Sequence, residues 1–174
     1  MSGRGASRRG SALGAALCGA AILGGALAAA EAAPAPLAAP PVADRVVGLW
    51  LTGDRDAHVR IERVGERYQG TIVWLKEPEY PADDDQGMAG RAKVDRENPD
   101  RARRATPIVG LRIVEGFRFE DEAWRGGTIY DPNDGKTYKC RMWFEGETLK
   151  VRGYVGFSLF GRSQDWTRVA DAPR

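Results

Sequence analysis

The chain has 174 residues, 43% hydrophobic and 29% charged, which is room for one ordinary domain. Its formal charge of +2 comes from residues 1–32, where Arg4, Arg8 and Arg9 outnumber Glu31. The rest is neutral, so no global basic field recruits nucleic acid or an anionic membrane. Cys18 and Cys140 fall in different parts of the chain, and His58 is the single histidine. These counts leave no intramolecular disulfide, no multi-cysteine metal site and no cluster of histidines once the N-terminal segment is removed.

Residues 1–10 are basic, Ser11 to Ala30 is uncharged and rich in Ala, Leu and Gly, and small residues follow. This is the three-part layout of a secretory signal peptide over residues 1–32, with cleavage sites after Ala30 and Ala32. The run is too weakly hydrophobic for a permanent anchor, so no stable membrane insertion is expected after cleavage. Ser7-Arg8-Arg9 is half of a twin-arginine signal, but Ser11 stands where that signal wants a bulky apolar residue. The general secretion route, to a periplasmic or secreted location, is the expectation. Residues 33–45 read as a Pro/Ala-rich tether, stiffened between Pro34 and Pro41. The folded domain is placed at 46–169, with a tail at 170–174.

After residue 45 the pattern has period two, broken by turn residues, with no long helical stretch. Gly48–Thr52 opens the series. Ala57–Val64 puts Val59 and Ile61 on one face and His58, Arg60 and Glu62 on the other. Tyr68–Lys76 follows the Gly65-Glu66 turn. A long polar connection, Glu77–Thr106, then interrupts the rhythm. In Ile108–Phe119, Val109, Leu111 and Ile113 alternate with Gly110, Arg112 and Val114. Trp124–Tyr130 runs into Asp131-Pro132-Asn133-Asp134-Gly135, a hairpin turn in which Gly135 supplies positive φ. Lys136–Phe144 alternates Tyr138, Cys140, Met142 and Phe144 against Thr137, Lys139 and Arg141. Thr148–Val155 and Ser163–Val169 close the series. The fold class is therefore all-β. Eight half-polar antiparallel strands with hairpin connections fit an up-and-down barrel, since closure removes exposed edges. A sandwich is the alternative.

The opening strand carries Gly48-Leu49-Trp50 and the last carries Trp166-Thr167-Arg168. This pair resembles the lipocalin and wider calycin pattern, in which a basic side chain covers a tryptophan at one end of the barrel. The resemblance assigns Gly48, Trp50, Trp166 and Arg168 to closing the barrel. The segments 126–132, 135–138, 151–154 and 161–168, with Asp95-x-x-Asn98-Pro99 and Gly110-Leu111, resemble a bacterial exported family known as domain of unknown function 2147. That resemblance covers 46–169. It implies a periplasmic, lipocalin-like barrel and carries over no catalytic residues.

Chemistry-bearing residues have bland readings beside the functional ones. His58 sits on a polar strand face. Cys140 sits on an apolar one, where a thiol packs as a small hydrophobe. Asp83-Asp84-Asp85 reads as a solvated charge run without calcium-loop spacing, and no metal or cofactor is expected. Asp95 and Asn98 read as turn-capping residues, and Asp131 as part of the hairpin turn. The leading expectation is a non-catalytic barrel that binds a small apolar or amphipathic molecule. Leu111, Ile113 and Met142 would line it, and Tyr130, Tyr138 and Tyr154 would supply polar contacts near one end. Glu77–Thr106 would act as its lid. The rivals are a filled module that binds envelope components or another protein through its outer surface or Phe157–Phe160, and an enzyme built on Asp95, Lys136 and Tyr138. N-terminal sequencing of the exported protein should start at Glu31 or Ala33. Met1 intact on membrane-bound protein would refute the signal-peptide reading.

Overall fold

The computed structural model describes residues 41–156 and 161–170. Residues 1–40, read above as leader and most of the tether, Phe157–Phe160 and residues 171–174 of the tail lie outside the described residues. Eight strands run in chain order: β1 Gly48–Leu51, β2 Ala57–Val64, β3 Arg67–Leu75, β4 Arg112–Glu120, β5 Ala123–Asp131, β6 Lys136–Glu145, β7 Thr148–Tyr154 and β8 Gly161–Val169. Each pairs antiparallel with the next, and β1 pairs with β8, so the sheet is a closed barrel and not a sandwich.

One end of the barrel is sealed. A 3₁₀ turn over Val42–Val46 lies across it, so the ordered fold reaches into the stretch read as tether. Its carbonyls meet two buried indoles. Trp50 Nε1 donates to Val46 O at 2.8 Å, and Trp124 Nε1 donates to Ala43 O at 3.1 Å. The Asp44 carboxylate accepts from Tyr68 Oη at 2.8 Å, and burial together with this bond pushes the Tyr68 phenol up to about 12. Phe144 lies between Trp50 and Trp124, with ring centroids 5.7 and 5.6 Å away. Above this layer, Val59, Ile61, Phe117, Cys140, Met142 and Leu149 fill the lower barrel. Burial pushes the Cys140 thiol up to about 12, which leaves it an inert packing group.

The seam between β1 and β8 fixes this end. Trp50 and Arg168 are register partners, and the guanidinium carbon sits 4.3 Å from the indole centroid. Arg168 Nη1 donates to Val47 O at 2.9 Å, and Nη2 donates to Arg45 O. A side chain at Gly48 would overlap that guanidinium, and Gly48 also takes φ +141°. Glycine at this place is what lets the arginine reach the backbone.

β4 departs from simple alternation. The β3–β4 register shifts twice, between Tyr68 and Gly70 and between Gly70 and Thr71, and Gly116 has φ +79°. Each shift inverts the face that follows it. Ile113 and Val114 are consequently both buried, while Val109 precedes the strand and is 45% exposed. The alternation that put Val109 on one face with Leu111 and Ile113 therefore does not hold here.

Trp50→Ala should cost about 3–5 kcal/mol of stability in urea titrations, through loss of buried volume. Arg168→Lys keeps the charge but loses the fork and should cost about 1–2 kcal/mol. Wild-type stability for Trp50→Ala would refute this weighting of the sealed end.

Candidate functional site

Among the described residues, the other end of the barrel is open. Its rim is built by the β1–β2 turn, the connection from β3 to β4, the β5–β6 turn and the end of β7. Inside lies a cavity of about 1180 Å³. Ile72, Ile129, Val151 and Trp166 form its apolar depth, and Tyr130, Tyr138 and Tyr154 stand higher. The barrel is thus filled in its lower half and hollow in its upper half. Alternation sends Met142 inward as expected, but it pairs with Trp124 and Val151 and is fully buried below the cavity. Met142 is therefore packing, not lining. Leu111 lines a separate crevice of about 590 Å³ with Asp95, Asn98 and Thr128, and Ile113 lines both spaces.

The rim is charged unevenly. Nine carboxylates line the cavity, from Asp54 and Asp56 through Asp83–Asp85 to Asp131 and Asp134, against the four cations Lys76, Lys93, Arg96 and Arg162. Among the described residues no group of three or more His, Cys, Asp or Glu is arranged to hold a metal ion.

The long connection is a tied strap. Tyr80 is buried, and its hydroxyl donates to Val94 O at 2.9 Å. The Asp84 carboxylate, read from sequence as solvated, is only 2% exposed and accepts from Arg96 Nη1 at 2.6 Å. It also accepts from the backbone N–H groups of Gln86 and Met88. Those amides, Met88 first, and Arg96 hold it below the usual carboxylate range. Asp95 is fully buried. It accepts from Tyr130 Oη at 2.7 Å and from Asn98 Nδ2 at 2.6 Å, which ties the strap to β5. Burial first, and then that bond, raise the Tyr130 phenol above its ordinary value. Asp95 and Asn98 thus do more than cap a local turn. Asp100 N does donate to Asn98 Oδ1 at 2.9 Å, as a capping turn requires.

The β5–β6 turn meets the same strap. Gly135 N donates to Asp131 O at 2.9 Å, and Asn133 N to Asp131 Oδ1 at 2.9 Å. Gly135 has φ +67°, and a side chain there would overlap the carbonyl of Glu97. Beside it, Tyr138 Oη donates to Asp134 Oδ2, which lowers the Asp134 pKa and raises that of Tyr138. Lys136 and Tyr138 meet at the Asp134 carboxylate, with Lys136 Nζ 3.6 Å from the Oδ2 that Tyr138 Oη bonds, but Asp95 is held apart on Tyr130. Tyr138 faces the cavity, Asp95 the crevice, and the Lys136 side chain is 69% exposed.

With this geometry in place, comparison with known proteins decides the family. The family model described as an uncharacterized protein conserved in bacteria (DUF2147) matches residues 48–168. The chain belongs to DUF2147. A solved structure, protein HP1028 from the human pathogen Helicobacter pylori, described as belonging to the lipocalin family, is similar in fold at a TM-score of 0.59. It is 19% identical and covers 72% of this chain and 83% of its own. No curated protein matches. This DUF2147 chain is thus a closed, eight-stranded, lipocalin-like barrel.

The pH response of the strap follows from Asp84. A depressed folded-state pKa contributes stability above the ordinary carboxylate value of about 3.9, and that contribution is lost as pH falls through the folded value. Amide exchange at Gln86 and Met88, relative to intrinsic rates, should stay slow at neutral pH and accelerate only in strong acid. In Asp84→Asn it should be fast already at neutral pH. Unchanged protection in that variant would contradict the assignment.

Proposed function

We propose that the chain is an exported, non-catalytic carrier for a small amphipathic molecule. The apolar part of the ligand lies on the cavity floor and a cationic head sits among the rim carboxylates. The half-filled barrel carries this reading. A cavity of about 1180 Å³ exceeds what a drug-sized ligand needs. The floor of Ile72, Ile129, Val151 and Trp166 rewards apolar contact. Nine carboxylates against four cations favour a positive head, and low-dielectric walls concentrate that field. The sealed end and its filled lower layer direct the ligand to the rim. The fold of the lipocalin-family neighbour agrees with a ligand-holding role, and the leader of residues 1–32 supports export.

The reading is tested by titrating dodecyltrimethylammonium and dodecyl sulfate, below their micellar concentrations, against tryptophan fluorescence. Trp166 on the floor is the reporter. The cation should bind at least tenfold tighter, a difference of about 1.4 kcal/mol. Asp83→Asn with Asp85→Asn should narrow that gap, and Ile129→Trp should fill the floor and weaken both ligands. Absence of saturable binding, or preference for the anion, would overturn the proposal.

A further inference from the structure

The outer wall of the barrel carries a row of arginines set by strand register. Arg118 on β4 is the register partner of Arg125 on β5, and Arg141 on β6 is the partner of Arg152 on β7. Trp124 pairs with Met142 and Gly127 with Cys140, and the register shift between them sets Arg125 and Gly126 together opposite Arg141. Tyr68 pairs with Phe117, which sets Arg67 of β3 beside Arg118. The residues flanking each arginine toward the interior (Tyr68, Phe117, Trp124, Met142, Val151) are buried, so all five arginines lie on the outer face. Adjacent strands are about 4.8 Å apart, and the row therefore runs about 19 Å around the wall.

Like charges directly opposite one another on a sheet are destabilising. A surface that needed charge only for solubility would alternate signs. Here the carboxylates of the same wall serve other cations. Glu115 lies 3.9 Å from Arg112, and Glu145 and Asp165 hold Lys150 at 3.4 and 2.8 Å. Among the described residues no carboxylate is within ion-pair distance of Arg118, Arg125 or Arg141. Arg125 Nε is buried and has no hydrogen-bond acceptor in the described structure. Arg67 uses Nη1 on Gly116 O at 2.9 Å, and Arg152 uses Nη1 on Ser163 Oγ at 2.9 Å, bonds that hold the two ends of the row in place.

We infer that this row is a binding site for a linear polyanion, a flexible chain of phosphate groups that follows the curve of the wall. Guanidinium forks fit phosphate oxygens in pairs. The wall is convex across five strands, so a flat anionic bilayer meets only part of the row, whereas a flexible chain meets all of it. Single-stranded nucleic acid needs a platform of aromatic faces for its bases. Trp143 is the aromatic beside the row, and Arg141 lies over it at 5.4 Å. The site is on the outside of the barrel and is independent of the cavity.

Long-chain inorganic polyphosphate is titrated against the purified chain at several salt concentrations, beside orthophosphate, an oligo-dT strand and phosphatidylglycerol vesicles. Polyphosphate should bind tightest and weaken steeply with salt. Arg118→Gln/Arg125→Gln/Arg141→Gln should lose at least tenfold in affinity. Its log–log salt slope should become shallower by about two, three contacts at about 0.7 each. The same variant should melt at or above the wild-type temperature, because crowded like charges are removed. A control of equal charge change in the strap, Arg91→Gln/Arg101→Gln/Arg103→Gln, should keep wild-type affinity. Equal loss in the two triple variants reduces the effect to net charge and overturns the site. So does binding of oligo-dT or vesicles as tight as that of polyphosphate, or no binding of polyphosphate at all.

Discussion

The stacking of Arg168 on Trp50 is the contact on which the rest of the barrel depends. It is at once a cation–π contact, a pair of hydrogen bonds to the carbonyls of Arg45 and Val47, and the register point that joins the first strand to the last. Breaking it would open an edge on β1 and another on β8, and would release the 3₁₀ turn that seals the end. The glycine before the tryptophan belongs to the same contact, because any side chain there occupies the space of the guanidinium. A three-residue sequence pattern thus reduces to one packing requirement.

Because that end is sealed and filled, the opposite end is free to be hollow. The aromatic layer of Trp50, Trp124 and Phe144 supplies rigidity that the upper barrel does not have to supply. The strap between β3 and β4 can then rest on the rim through Asp95, Tyr130 and the close approach of Glu97 to Gly135. The charge of the molecule is sorted by the same division. Carboxylates collect at the rim and arginines around the wall, although residues 33–174 are neutral as a whole.

Much of the fold was legible because each hairpin declares itself locally. Asp131 to Gly135 could hardly be anything but a turn, and Lys136 to Phe144 alternates without a fault. β4 misled because a register shift leaves no mark on composition. Gly110 and Gly116 resemble each other in sequence, and only one lies within the strand. Met142 misled for another reason. Period two tells which face a residue takes but not how deep it lies, and depth here depends on where the indoles stack. The strap was the least legible part. Its order comes from Tyr130 reaching Asp95 across 35 residues and from Arg96 reaching Asp84, and no periodicity records such bonds. A buried aspartate in a run of charged residues looks solvated until its partner is known.

The seam also has a kinetic meaning. Arg168 bonds to carbonyls 121 and 123 residues earlier in the chain. From β2 to β7 the strands pair as local hairpins except for β3 and β4, which the strap joins, but the closure that completes the barrel is the longest loop the domain must make. A chain emerging N-terminus first therefore displays β1 with an unpaired edge until β8 arrives. During that interval the 3₁₀ turn lacks the arginine that anchors it. Closure of the barrel is thus the last step of its assembly, because it waits for the C-terminal strand.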